Sequence, residues 1–306
     1  MAEHNQKKRY KKRYRKAKHL LTAMVVIILV ILGFFFGKDT LTNPKPTVAP
    51  VSGNEVQFHF IDVGQADAAL IRTADGVVLI DAGTGEAEDD LKAYLDSLGV
   101  TDIAYAVFTH PHEDHIGGAD MILRSYSVDC VILPDVVQTN KTFTNMMDAI
   151  EDESCEVIMA EPDKVFQVGE LTCTILAPIG TSYDDLNDYS ITLRADYGET
   201  SVLFMGDAEQ LSEEEMLARY GSADGGMLDC DLIKVGHHGS SSSSCKEFLK
   251  AVTPDAGVIS CGKGNQHGHP VASVLKRYES MNTAIYRTDL EGDIVFISTG
   301  GEPTKK

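Results

Sequence analysis

The chain has 306 residues, 43% of them hydrophobic, which is enough to bury a sizeable core and excludes wholesale disorder. Its formal net charge is −19, yet nine of its 27 Lys and Arg lie within the first 18 residues beside a single acid, Glu3, so the remainder sets 18 basic against 45 acidic residues, a balance of −27. Non-specific nucleic-acid binding draws on Lys and Arg neutralising phosphates, so this balance argues against a tight binder of that kind and leaves open a nucleic-acid substrate held through metal ions.

The basic start, residues 1–19, runs into Leu20 to Phe36, 17 residues with no charge and Thr22 as the one polar side chain. At 1.5 Å per residue this reaches about 25 Å, marginally enough to cross a hydrocarbon core, so residues 20–37 are expected to form a single transmembrane helix. A cleaved signal peptide is the competing reading, but its apolar core runs about 7 to 15 residues and ends in a small-x-small site, which GKDTLTNPKP does not offer. With the Lys and Arg clusters on one side and Lys38 alone close on the other, the positive-inside rule places the tail in the cytoplasm and the rest of the chain outside. Residues 38–55, with Pro44, Pro46 and Pro50, suit a semi-extended spacer between membrane and domain.

The folded unit is expected over residues 56–306. Runs rich in Val, Ile and Phe predict strands at Val56 to Val63, Ala68 to Arg72, Val77 to Asp81 and Ile103 to Thr109, and Leu91, Tyr94, Leu95 and Leu98 predict a helix over Ala87 to Leu98. Further strands are expected at Val131 to Leu133, Leu171 to Leu176, Ser190 to Asp196, Ser201 to Met205, Leu232 to Val235, Gly257 to Ser260 and Asp293 to Ile297. Helical patterns fall at Ala119 to Tyr126, Thr142 to Ile150, Leu211 to Arg219, Lys246 to Ala251 and Val271 to Tyr278. Many strands with helices in both halves indicate a layered α/β or α+β domain. The six cysteines form no Cys-x-x-Cys pair, and several sit in apolar runs, as buried small hydrophobes do.

The chemistry concentrates at His110-Pro111-His112-Glu113-Asp114-His115, which follows an apolar strand. Three imidazoles and two carboxylates in six residues suit a borderline ion such as zinc or manganese, and a loop after a strand lets several donors converge. A plain solvated loop would not need this order of His and Asp. Gly117 and Gly118 then permit a close backbone approach. Asp81 is the one acid in an apolar strand, and a cap or turn role competes there with a functional one. Asn265 to Pro270 reads as a polar surface loop, and Ser240 to Ser244 as a linker or as an anion cradle.

With these residues in hand, the chain resembles the metallo-β-lactamase-fold hydrolases, whose signature is the His-x-His-x-Asp-His loop, and more narrowly the hydrolase domain of ComEC-type DNA-uptake competence proteins. Phe60 to Asp67, Leu79 to Gly83, Phe204 to Asp207 and Lys234 to Ser240 carry the rest of the likeness, over roughly Val56 to Ser298. The resemblance implies a four-layer αβ/βα sandwich with a two-metal site at one edge between the sheets. His110 and His112 would hold one divalent ion, zinc or manganese, and Asp114 and His115 the other, with Asp207 bridging both. One of His237 and His238 would be a further ligand, since neighbours at a strand end point in opposite directions, with a slight lean to His237. Asp114 would also be essential to catalysis, and His269, in a Gly-His-Pro that ComEC-type domains share, would grip a substrate phosphate or act as general acid. Asp81 would orient a ligand histidine, and Asp62, Asp67 and Ser240 would support ligands or touch substrate.

One departure matters. Most hydrolases of this fold supply another histidine to the first metal from mid-chain, but no histidine occurs between His115 and His237. The matching place is Asn187 to Leu193, whose Asn187 and Ser190 resemble the ComEC-type pattern. The implied activity is metal-assisted hydrolysis of a phosphodiester, either DNA or a phosphodiester of the cell envelope. A lactonase or β-lactamase acting on an acyl carbon, and a non-catalytic envelope-binding module, are the rival readings.

Overall fold

The structure, a computed structural model, describes residue 51, residues 53–221 and residues 226–306. The expected basic tail, membrane span and most of the spacer lie outside the described residues. Among the described residues, no helix is long and apolar enough to cross a membrane.

Fifteen strands are described: β1 (Val56–Phe60), β2 (Ala69–Arg72), β3 (Val77–Ile80), β4 (Asp102–Val107), β5 (Ser127–Leu133), β6 (Glu156–Met159), β7 (Val165–Val168), β8 (Leu171–Ala177), β9 (Thr192–Tyr197), β10 (Thr200–Phe204), β11 (Leu232–Lys234), β12 (Ala256–Ile259), β13 (Ala284–Arg287), β14 (Ile294–Ser298) and β15 (Thr304–Lys305). The helices are α1 (Glu88–Ser97), α2 (Glu113–Ile116), α3 (Ala119–Ser125), α4 (Lys141–Glu153), α5 (Gln210–Tyr220), α6 (Lys246–Val252), α7 (Ala272–Glu279) and α8 (Thr288–Glu291). One sheet runs β15-β14-β1-β2-β3-β4-β5-β6 and the other β13-β12-β11-β10-β9-β8-β7. Each is antiparallel at one end and parallel at the other, the parallel runs being β3 to β6 and β10 to β13.

Alternation along the strands sorts their side chains between two faces. Phe58, Phe60, Ile71, Val78 and Val107 from the first sheet meet Cys173, Leu193, Val202, Phe204 and Val258 from the second in one buried layer. On the outer face of the first sheet, Leu70, Leu79, Ala106 and Val131 pack under Leu91 and Leu95 of α1, Ile122 of α3, and Phe143 and Met146 of α4. On the outer face of the second, Leu203, Ile233 and Ile259 pack under Met216 of α5, Phe248 of α6 and Tyr278 of α7. The result is the expected order of helices, sheet, sheet, helices.

Local chemistry sets the helix ends. The first turn of α1 carries Glu88, Asp89 and Asp90, favourable at the positive end of the helix dipole, and the chain leaves it through Gly99 at φ 70°. Asn140 caps α4 by accepting from the Phe143 amide at 2.8 Å. Gly117 has no room for a side chain: a Cβ there would lie 2.3 Å from the Gly85 nitrogen, so the close approach anticipated for Gly117 is what lets the histidine loop lie against the loop after β3.

The expected list lacks β6, β7, β13 and β15, and these are the four outermost strands of the two sheets. An edge strand is short and only partly covered, so its apolar pattern is brief or, as in β7, alternates with exposed residues. Two local expectations are also corrected. Asp81 does not continue β3: it sits at φ 59°, which turns its carboxylate toward the histidine loop. His237 and His238 are not extended strand-end neighbours, since they occupy left-handed conformations at φ 47° and 53° in a tight turn after β11. The serine run is no linker, because Ser240, Ser243 and Ser244 are buried and Ser243 Oγ donates to the Ala208 carbonyl at 2.7 Å.

Candidate metal centre

The site lies where five strands end. Asp81 follows β3, Thr109 and the histidine loop follow β4, Asp207 follows β10, the histidine pair follows β11 and Ser260 follows β12. Carboxyl ends of parallel strands are where open α/β sheets place ligands, because the loops leaving them are free to vary while the strands stay fixed.

From the first sheet, Asp81 organises the histidine loop. Its Oδ1 accepts from the Thr109 amide at 2.7 Å, and its Oδ2 accepts from the Thr109 hydroxyl at 2.8 Å and from His115 Nδ1 at 2.7 Å. A carboxylate only accepts, so Nδ1 of His115 carries the proton and its Nε2 presents a lone pair. The Thr109 hydroxyl has spent its proton on Asp81, so at 3.2 Å it accepts from His110 Nδ1 and leaves the Nε2 of that ring bare as well. Ser190 Oγ adds a contact of 3.3 Å to His110 Nδ1 and accepts from the Asp207 amide at 3.1 Å. His110 Nε2 in turn lies 2.9 Å from His112 Nδ1.

From the second sheet come Asp207 and His238. The Nδ1 of His238 donates to the Ser260 carbonyl at 3.0 Å and lies 3.3 Å from Asp67 Oδ1, so its Nε2 also faces the site as a lone pair. That Nε2 is 3.3 Å from Asp114 Oδ2 and 3.5 Å from Asp207 Oδ2, and His115 Nε2 is 3.3 Å from the same Asp207 oxygen. Donor atoms of Asp114, His115, Asp207 and His238 all lie within 4.8 Å of one another. His115, Asp207 and His238 are almost completely buried, while Asp114 is one-third exposed.

Charge follows this crowding. Burial pushes the His115 and His238 imidazoles down, but Asp207 with Asp81 beside the first, and Asp207 with Asp67 beside the second, outweigh it and raise both, His238 to about 10, so with no cation bound each Nε2 holds a proton that an ion would displace to reach the lone pair. Burial likewise pushes Asp207 up, and the surrounding His238 and His115 reverse this and hold it well below the usual carboxylate range. His110 goes the other way: burial and the neighbouring His115 hold it well below 6.5.

The remaining expected residues divide. Asp67 is buried, accepts from Lys234 Nζ at 2.6 Å and stands behind His238. Asn187 Nδ2 donates to Glu209 at 3.3 Å, and Ser240 bonds Ser242 at 2.9 Å, so both belong to the network around His237 and neither bonds one of the four donors. The His269 ring is 5.6 Å from that of His237, and burial with the two neighbouring histidines pushes it down to about 4. Asp62 does not join: it is exposed and caps its own turn by accepting from the Gly64 amide. The lean to His237 over His238 is not matched by the geometry, since His237 stays outside the four-donor group with Nδ1 3.0 Å from Glu209.

Three participants escape a reading of the sequence. Ser260 acts through its carbonyl, which no side-chain pattern reveals. Thr109 looks like an ordinary strand residue. Lys234 is a lone cation in an apolar strand, buried to 3% exposure, and that lone charge was the available signal.

His115 Nε2, His238 Nε2 and Asp207 Oδ1 are buried without a hydrogen-bond partner. Orphaned lone pairs are costly unless a cation meets them, so these residues fit a divalent ion. His110 and His112 belong to no group of three such donors among the described residues, which is the structural counterpart of the absent mid-chain histidine.

The sequence profile of the Metallo-beta-lactamase superfamily matches residues 61–263. The chain is 27% identical over 267 residues to ComE operon protein 3 of Bacillus subtilis (strain 168), covering 81% of this chain and 34% of that protein. It is 28% identical over 276 residues to competence protein ComA of Neisseria gonorrhoeae, covering 90% and 36%. It therefore spans about a third of the length of these relatives. Among solved structures, CmlA, a diiron beta-hydroxylase from Streptomyces venezuelae, superposes with a TM-score of 0.51 at 15% identity over 84% of this chain and 57% of that one, a likeness of fold.

Proposed function

The chain belongs to the metallo-beta-lactamase superfamily, and from that premise we propose that it is a metal-dependent phosphodiesterase that hydrolyses DNA or a phosphodiester of the cell envelope. It is anchored by residues 20–37, with its tail in the cytoplasm and its hydrolase domain outside. The observation that carries the reading is the convergence of Asp114, His115, Asp207 and His238 with their nitrogen lone pairs turned inward.

These four residues would hold one ion, and His110 and His112, which the structure gathers with no third donor, would hold a second, zinc or manganese in each case. When bound, such a pair supplies Lewis acidity that brings the pKa of water toward ~7 and offsets charge on a phosphoryl group. The chain's own contribution is orientation. Asp81 and the Ser260 carbonyl fix the tautomers of His115 and His238, and Ser190 ties His110 to the backbone of Asp207. No serine or cysteine nucleophile is required. The −27 balance outside the tail favours an envelope substrate over a long nucleic acid held by charge.

The test is turnover of bis-p-nitrophenyl phosphate and of nitrocefin by the purified full-length protein, with added manganese or zinc. Phosphodiester cleavage that Asp114→Ala abolishes supports the reading. Nitrocefin cleavage without phosphodiester cleavage replaces it with the acyl-hydrolase reading.

A further inference from the structure

Beside the four donors sits a second polar network that binding of metal does not use. Glu209, the residue before α5, accepts two hydrogen bonds on one oxygen, from Ser242 Oγ at 2.8 Å and Asn187 Nδ2 at 3.3 Å, and the same oxygen lies 3.0 Å from His237 Nδ1. The Ser242 hydroxyl spends its proton on Glu209, so toward His237 Nδ1, at 3.2 Å, it acts as an acceptor. His237 is thereby fixed with its proton on Nδ1 and a lone pair on Nε2. That Nε2 is 3.7 Å from Asp207 Oδ2, so it borders the metal centre. The ring is 22% exposed, whereas His110, His115 and His238 are buried, and it stands outside the four-donor group. The His269 ring stands edge-on to it at 5.6 Å.

An imidazole at the solvent boundary, with a lone pair fixed toward the reacting centre and a carboxylate behind it, accepts hydrogen bonds. In its neutral form it has no proton on that nitrogen to offer a bare phosphate oxygen. We infer that His237, oriented by Glu209 through Ser242, is a substrate-recognition residue that accepts a hydrogen bond from a hydroxyl next to the scissile phosphate, so that the enzyme selects polyol or ribose phosphodiesters over deoxyribose ones. Internal deoxyribose linkages carry no free hydroxyl at that place. His237 touches the substrate, and Glu209 is a positioning residue. The inference rests on the phosphodiesterase reading and narrows its substrate class.

The experiment uses a matched pair, glyceryl p-nitrophenyl phosphate and ethyl p-nitrophenyl phosphate, with the full-length protein. One well-placed hydrogen bond at a half-open site is expected to favour the glyceryl diester by about tenfold in kcat/KM. In His237→Ala and Glu209→Ala this ratio falls to about one while metal content stays at the wild-type value. Glu209→Gln keeps an acceptor oxygen for Ser242 and restores most of the ratio. Calorimetric binding of glycerol phosphate against ethyl phosphate reads the same preference without turnover, so a wild-type protein that cleaves neither diester yet prefers glycerol phosphate, and loses that preference in His237→Ala, retains the inference and refutes the phosphodiesterase reading. Equal handling of both probes by the wild-type protein overturns the inference. So does loss of metal from His237→Ala, which would make His237 a ligand.

Discussion

Glu213 offers a test of the scaffold that does not touch the metal donors. It sits in α5, 1% exposed, and its carboxylate accepts from the amides of Ser244 and Cys245, holding the buried serine run against the helix. Burial pushes this carboxyl up from 4.5 to about 7, with the two amides and Arg277 only partly offsetting it. The folded state therefore keeps its proton to higher pH than the unfolded chain does. The group's contribution to stability is full below about 4.5 and is lost as pH rises through about 7. At about 1.4 kcal/mol per pH unit the whole window amounts to roughly 3 kcal/mol. Glu213→Gln removes the titration and leaves one amide facing a non-acceptor, at a cost of about 1–3 kcal/mol at pH 5. Its deficit against wild type should therefore shrink or reverse by pH 8. The assay is urea unfolding followed by far-UV circular dichroism, the chain having no tryptophan. The wild-type minus variant difference cancels the pH dependence of every other group. A difference that stays flat between pH 5 and pH 8 refutes the argument.

Other outcomes are expected at the metal centre and the membrane. Asp207→Asn keeps the volume but removes the charge that offsets two cations, so elemental analysis should show both ions lost together; two ions retained with normal activity would end the two-metal proposal. Asp81→Ala frees the His115 ring and should weaken metal binding by about 10–100-fold in a chelator competition, and an unchanged affinity would show that the ring is held by other means. Zinc at about 100 times its Kd should stabilise the wild-type fold by about 3 kcal/mol, read as a rise in Tm that Asp207→Asn does not show. Protease added to intact cells should release the folded domain, and full protection would reverse the proposed orientation.

How much of this was legible in the sequence depended on where each residue sits. The interior strands, such as Ala69–Arg72 and Thr200–Phe204, are covered on both faces and so read as apolar runs. The edge strands Glu156–Met159 and Ala284–Arg287 are short and only partly covered, so the brief apolar run in each carries little signal. In the site, the donors stood out because ionisable residues directly after apolar strands have few structural reasons to be there. What could not be read was orientation. The choice between His237 and His238 turned on two left-handed residues, and neither spacing nor composition encodes that turn. The acceptor that fixes His238 is a backbone carbonyl, identical in every residue.

The pairing of β1 with β14 bears on how the chain is made. Val56–Phe60 lines up with Ile294–Ser298, so about 230 residues separate neighbours in one sheet. At about 5–20 residues per second, synthesis leaves the outer edge of β1 without its partner for roughly 10–50 s. Throughout that interval Phe58 and Phe60 belong to a layer that lacks Ile294 and Phe296. The nascent chain therefore carries an unpaired apolar edge until its last strands emerge, and truncation before Ile294 is expected to yield aggregation in place of a smaller folded protein.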